Sequence, residues 1–211
     1  MQTIAVVDYG MGNLRSVSKA IEHVAPDARV LVTHDAKAIA GAHRVVFPGQ
    51  GAMPDCMREM RASGLSDVVL QAAASKPFLG ICIGMQMLFD HSAEGDTPGL
   101  SVLPGEVVRF AGDMYAPDGA RLKVPHMGWN RVRQDIAHPL WRGIADHSRF
   151  YFVHSYYPVP AQAQAGAGSS DYGIDFTCAV ARGNIFGVQF HPEKSHLAGL
   201  ALFSNFVAWN P

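Results

Sequence analysis

The first half of the chain alternates two hydrophobic periods. Thr3–Val7 is a short β-branched run that ends in a glycine-bearing turn at 8–13, and Leu14, Val17, Ile21 and Val24 then recur at helical spacing. Arg29–Thr33 reads as a second strand, 35–40 as a short helix capped by Asp35, and 44–47 as a third strand stopped by Pro48 and Gly49. Helical patterns follow over 53–61 and 65–74. An apolar strand at 77–81 then runs into a helix predicted over 83–89. Strands alternating with helices predict an α/β fold, a doubly wound and mostly parallel central sheet with helices on both faces.

The second half changes character. Segments 105–110, 130–132, 150–157, 176–181 and 185–190 are strand-like, with turns such as Arg182-Gly183-Asn184 between them, and predict an antiparallel extension of the sheet. The stretch 161–170 is small and polar and reads as a mobile surface loop. An amphipathic helix is expected over 197–209. No internal repeat breaks the chain, and 211 residues suit a single domain over 1–211.

Composition narrows the function classes. With 48% hydrophobic and 17% charged residues the chain is ordinary for a soluble globular protein. A net charge of −1 without a basic run argues against a nucleic-acid partner. No stretch approaches the roughly 18 apolar residues of a membrane span, and MQTIAVVDYG lacks the charged leader of a signal peptide. Cys56, Cys82 and Cys178 have no framework spacing, which points to a reducing compartment, the cytoplasm.

One of those cysteines sits in FLGICIGMQML at 78–88, fenced by Gly80 and Gly84. A buried strand tolerates glycine poorly, so this backbone must need closeness more than packing. Gly-x-Cys-x-Gly between a strand and a helix has the pattern of a nucleophile elbow, with glycines two positions away where a Cβ would strike the following helix. The Ile83 amide would then face the oxygen of a tetrahedral intermediate. Standing alone, a cysteine in an apolar segment is usually a small core residue. A base and its orienting group are available in GVQFHPE, where His191 and Glu193 stand two apart in a segment that Pro192 keeps extended and so project to one side. The plain alternative is a surface turn. Metal binding is not expected, because His191 and His196 are five apart and Pro192 forbids the helical pair. A second oxyanion donor fits the glycine loop Pro48-Gly49-Gln50-Gly51, which reads otherwise as a strand-ending turn. Gly10-Met11-Gly12-Asn13 lacks the third glycine of a dinucleotide fingerprint.

Together these pieces resemble the class I (triad) glutamine amidotransferases. DYGMGNLRSV, PGQGA, GICIGMQMLF, KVPHMGWN, YFVHSYY and GVQFHPEKS look, across the whole chain, like the glutaminase subunits of imidazole glycerol phosphate synthase. The chain departs from that pattern at Gln50, where the family more often has valine. The resemblance implies that Cys82 attacks the carboxamide of L-glutamine, that His191 shuttles the proton, and that Glu193 orients the imidazole. It implies that Gly49, Gln50 and Ile83 serve the oxyanion and that Gln86, Ser155 and Tyr156 hold the amino-acid end, with Gly51 beside them. It also implies a heterodimer with a (β/α)8-barrel cyclase, faced by Asn13, His126, Trp129, Tyr151 and Lys194, which uses the ammonia to form imidazole glycerol phosphate and an aminoimidazole carboxamide ribotide. No cofactor is expected. Rival readings are the glutaminase of another triad amidotransferase, such as that of pyridoxal phosphate synthesis, a thiol hydrolase, and a non-catalytic module of the same fold.

Overall fold

The structure, a computed structural model, describes residues 1–116 and 119–211. In chain order it contains β1 (Thr3–Val7), α1 (Leu14–Val24), β2 (Arg29–Thr33), α2 (Ala36–Gly41), β3 (Arg44–Gly49), α3 (Met53–Ser63), α4 (Ser66–Ser75), β4 (Phe78–Cys82) and α5 (Ile83–Gln86). Then come β5 (Phe89–Ser92), β6 (Thr97–Pro98), β7 (Leu103–Arg109), β8 (His126–Gln134), β9 (Ser148–His154), β10 (Tyr156–Pro160), β11 (Gly166–Asp171), β12 (Asp175–Arg182), β13 (Ile185–Val188) and α6 (His196–Ala208).

The parallel half follows from its sequence. β1, β3 and β4 are buried along nearly their whole length, as unbroken apolar runs demand when both faces of a sheet are covered. They pair in parallel, with β2 outside β1 and β13 joining β4 on the other side. Asp35 caps α2 as expected, its carboxylate accepting from the Lys37 amide at 2.8 Å. Past β13 the sheet turns antiparallel through β12, β11, β8 and β9, completing nine strands in the order β2-β1-β3-β4-β13-β12-β11-β8-β9. α1 packs beside α6, and α2 beside α4, so the sheet is flanked by two helical groups.

Four expectations are corrected. Segment 83–89 is not one helix: α5 stops at Gln86, and Phe89 opens a second, four-stranded sheet of order β10-β7-β5-β6. Met85, Met87, Leu88 and Phe89 are all buried, so an apolar run without a polar side carries no period to mark the change. The strand expected over 150–157 breaks at Ser155, where the chain leaves β9 in the large sheet for β10 in the small one. The small, polar stretch 161–170 is no mobile loop over its second half, because β11 lies inside the large sheet between β12 and β8. Its smallness is a packing requirement: Trp141 donates its indole N–H to the Ala167 carbonyl at 3.2 Å, and a Cβ on Gly168 would stand 3.2 Å from that ring. The closing helix is also less amphipathic than expected, since it buries Leu202, Phe203 and Phe206 yet leaves Leu197 82% exposed.

Candidate active site

Cys82 ends β4 and heads α5 with φ 55° and ψ −118°, a backbone that L-residues rarely adopt and that costs roughly 1–3 kcal/mol. Packing enforces it. A Cβ on Gly80 would stand 2.9 Å from the Met85 Cα, as expected for an elbow glycine beside its own helix. Gly84 is different: its Cβ would be driven into the Phe47 carbonyl of β3, while one on Gly49 would stand 2.5 Å from the Gly84 nitrogen. The second glycine of the motif therefore admits the neighbouring strand, not the helix that follows. Gly49 and Cys82 are register partners across the parallel β3–β4 pair, so the glycine loop and the cysteine leave the sheet together.

His191 arrives from the adjacent strand β13. Its amide donates to the Tyr151 carbonyl at 2.9 Å, and the Ser195 hydroxyl donates to its carbonyl at 2.6 Å. Glu193 reaches it as expected, with His191 Nδ1 and Glu193 Oε1 2.8 Å apart and both side chains buried. The route is not the extended one, since Pro192–Lys194 forms a 3₁₀ turn that brings the carboxylate back under the ring. A carboxylate only accepts, so Nδ1 carries a proton toward Glu193 and Nε2 is left as the nitrogen that exchanges a proton with Cys82. Burial disfavours the imidazolium, but negative charge at Cys82 and the Glu193 carboxylate outweigh it, and the His191 pKa is raised to about 10.

Cys82, Ile83, Gln86, Gln50, Gly51, Ser155, Tyr156 and His191 line one cavity of about 320 Å³, large enough for a small amino acid. The break at Ser155 between the two sheets brings Ser155 and Tyr156 into the cavity lining. Gln86 is buried, not a solvated helix residue; its Nε2 donates to the Tyr156 carbonyl at 3.1 Å and to Gln189 Oε1 at 2.8 Å, and its Oε1 has no partner among the described residues. Two residues of the site escape a sequence reading. Glu94 lines the cavity while accepting from the Met53 amide at 2.8 Å, and nothing in HSAEGDT marks it. Gln189 directs its Nε2 at the Cys82 sulfur from 3.7 Å; the only signal is a glutamine in an otherwise apolar buried strand end.

Of the residues expected at a partner surface, Trp129, Tyr151 and Lys194 form one cluster. Trp129 is 42% exposed and meets Tyr151 edge-on across β8 and β9, and Lys194 stands 5.7 Å from the Tyr151 ring centre. The Trp129 ring also stacks on His196 at 4.9 Å, with the exposed Met127 and Leu197 on the same elements. Asn13 sits behind the triad, donating to Glu193 Oε1 at 3.3 Å. His126 lies beneath that surface: it is 3% exposed and stacked on Tyr172 and Phe152. Its Nδ1 meets Nε2 of its cross-strand neighbour His154 at 3.0 Å. Burial lowers the pKa of His126 to about 4 and of His154 to about 3, so both rings are neutral at pH 7. Neutral His154 donates through Nδ1 to the Tyr156 carbonyl at 2.8 Å. No helix among the described residues is long and apolar enough to cross a membrane.

The glutamine amidotransferase class-I family model matches residues 5–209. The chain is 66% identical over 212 residues to imidazole glycerol phosphate synthase subunit HisH of Aromatoleum aromaticum, covering 100% of both chains. It is 64% identical to the same-named subunit of Dechloromonas aromatica, covering 100% of this chain and 98% of that one. Among solved structures, one described as a glutamine amidotransferase superposes with a TM-score of 0.68 at 19% identity, covering 97% of each chain; at that identity the likeness speaks for the fold.

Proposed function

The chain belongs to the class-I glutamine amidotransferases, and within them to the HisH subunits of imidazole glycerol phosphate synthase; from that premise we propose how its residues hydrolyse L-glutamine. The observation that carries the reading is the convergence on one cavity of a strained Cys82 and a His191 whose far nitrogen is held 2.8 Å from Glu193. In this reading the Cys82 proton has already passed to His191 Nε2, which the raised pKa of that imidazole keeps protonated, and the Cys82 thiolate attacks the carboxamide carbon. The amides of Ile83 and Gln50, with Gly49 and Gly51 giving the loop its shape, stabilise the oxyanion, each worth on the order of 10²–10³ in rate. His191 returns the proton to the nitrogen as the C–N bond breaks, releasing ammonia and leaving a glutamyl thioester. A water deprotonated by His191 then attacks the thioester, and glutamate leaves as the thiol reforms. Buried Glu193 orients the imidazole throughout, with Asn13 supporting its carboxylate.

The amino-acid end of the substrate carries an ammonium, which needs acceptors. The unpartnered Oε1 of Gln86 and the carboxylate of Glu94 face that need, and the backbone of Ser155 and Tyr156 closes the wall. The catalytic machinery lies in one domain over 1–211. As a subunit, the chain requires a partner; we identify it as a (β/α)8-barrel cyclase that consumes ammonia, docked on the surface of Trp129, Tyr151 and Lys194. The test is glutamine turnover by the chain alone and with a barrel cyclase and its nucleotide ligand. Cys82→Ala should abolish glutamine-dependent synthesis by the complex and leave synthesis from ammonium salts intact. Equal loss of both would remove Cys82 from the chemistry.

A further inference from the structure

Gln189 is fully buried at the end of β13, yet nothing in the hydrolysis set out above uses its amide. Burying an amide is costly unless its polar atoms are satisfied, and here both ends are engaged in a fixed direction. The Tyr156 carbonyl can only accept, so Gln86 turns Nε2 toward it at 3.1 Å. The second hydrogen of that nitrogen goes to Gln189 Oε1 at 2.8 Å. Gln189 is thereby left with its own Nε2 toward the Cys82 sulfur at 3.7 Å. Three segments remote in sequence, β10, α5 and the end of β13, thus converge on the nucleophile with one donor direction.

We propose that Gln189 is a positioning residue whose Nε2–H holds the Cys82 sulfur toward the cavity and favours its anionic form, in a direction set by the Tyr156 carbonyl through Gln86. This rests on Cys82 being the nucleophile. A hydrogen bond to an anion is stronger than one to its neutral form, so the donor acts mainly on the thiolate. The other titratable groups facing Cys82 are His191, Tyr9 and Cys56. Burial raises Tyr9 well above its ordinary value and Cys56 to about 11, so neither carries charge near neutral pH. Behind His191 stand Glu193 and the neutral His154.

The experiment measures the alkylation rate of Cys82 by iodoacetamide from pH 5 to 10 in the full chain, with Cys82→Ala giving the background from the two other buried cysteines. Gln189→Met keeps the length and removes the donor. Its half-maximal pH should rise by about one unit, so that alkylation on the acid limb falls about tenfold while the alkaline plateau is unchanged. Gln86→Met, which unpins the Gln189 amide, should shift the profile the same way by less. A Gln189→Met acid limb within threefold of wild type overturns the proposal, even if that variant loses glutaminase activity. Alkylation does not require glutamine to be the substrate, so failure of the functional reading would appear separately, as no turnover by the wild-type complex. If Gln189→Met does not fold, the ¹⁵N side-chain amide resonance of Gln189 in the wild-type chain decides. It should titrate with the alkylation midpoint, and a resonance that ignores this midpoint overturns the proposal.

Discussion

In the proposed mechanism His191 takes up the same proton that leaves Cys82, so removing either residue removes one shared step. His191→Ala and Cys82→Ala should each reduce glutaminase activity nearly as much as the double variant, because members of such a unit are grossly non-additive. Multiplying effects in steady-state assays would separate them. Glu193→Gln is milder: its side-chain carbonyl still accepts from His191 Nδ1, now 2.8 Å from Glu193 Oε1, but the charge that helps hold up the imidazolium is gone. The His191 pKa should fall from about 10 toward its ordinary value, read directly by imidazole NMR titration, with residual turnover well above that of His191→Ala. His154, the other buried histidine at this cavity, is hydrogen-bonded on both ring nitrogens and is not free to act as a base.

The elements that carry the triad are set by closeness of backbone. α6 lies directly on the 3₁₀ turn that bears Glu193, and Gly199 is the point of contact: a Cβ there would be driven into the Pro192 carbonyl. Gly199→Ala must push the helix and the turn apart. Overpacking of this kind costs about 1–3 kcal/mol, so the melting temperature should drop by several degrees, and kcat should fall further because a displacement near 1 Å can cost roughly 10²-fold. Gly41→Ala is the control, since a Cβ there meets nothing within 4 Å. Its stability should be unchanged or slightly raised in the same thermal melt.

Across the whole molecule, buried imidazoles shape the pH dependence of stability. Desolvation lowers His126 and His138 to about 4 and His154 to about 3. Below about pH 6.5 the unfolded chain takes up protons there that the folded chain refuses, so stability is lost as the pH falls through that window. His191 acts with the opposite sign. Raised to about 10, it contributes stability that is fully present below about pH 6.5 and is lost as the pH climbs toward 10. Thermal melts should therefore peak near pH 6.5–7. His138→Asn keeps an acceptor for the Leu140 amide, which the ring now holds at 3.2 Å, and removes one titrating group; the acid limb of the melting curve should become shallower. An unchanged slope would remove His138 from the effect.

What the sequence determined by itself is local. The parallel strands are legible as apolar runs because both faces of that sheet are buried, and Asp35 announces α2 because a cap acts on an amide two residues away. Gly80, Cys82, His191 and Glu193 are legible because elbow strain and a two-residue reach are short-range chemistry. Tertiary structure alone decided the rest. β11 passes for a loop until Trp141 is seen to require its small residues. Gly84 and Gly199 are explained by carbonyls of other elements, Phe47 and Pro192. The wall of Gln86, Tyr156 and Gln189 joins residues 70 and 103 positions apart. Periodicity and backbone sterics act over a few residues, whereas hydrogen-bond direction and close approach between strands depend on which distant segments the sheet makes neighbours.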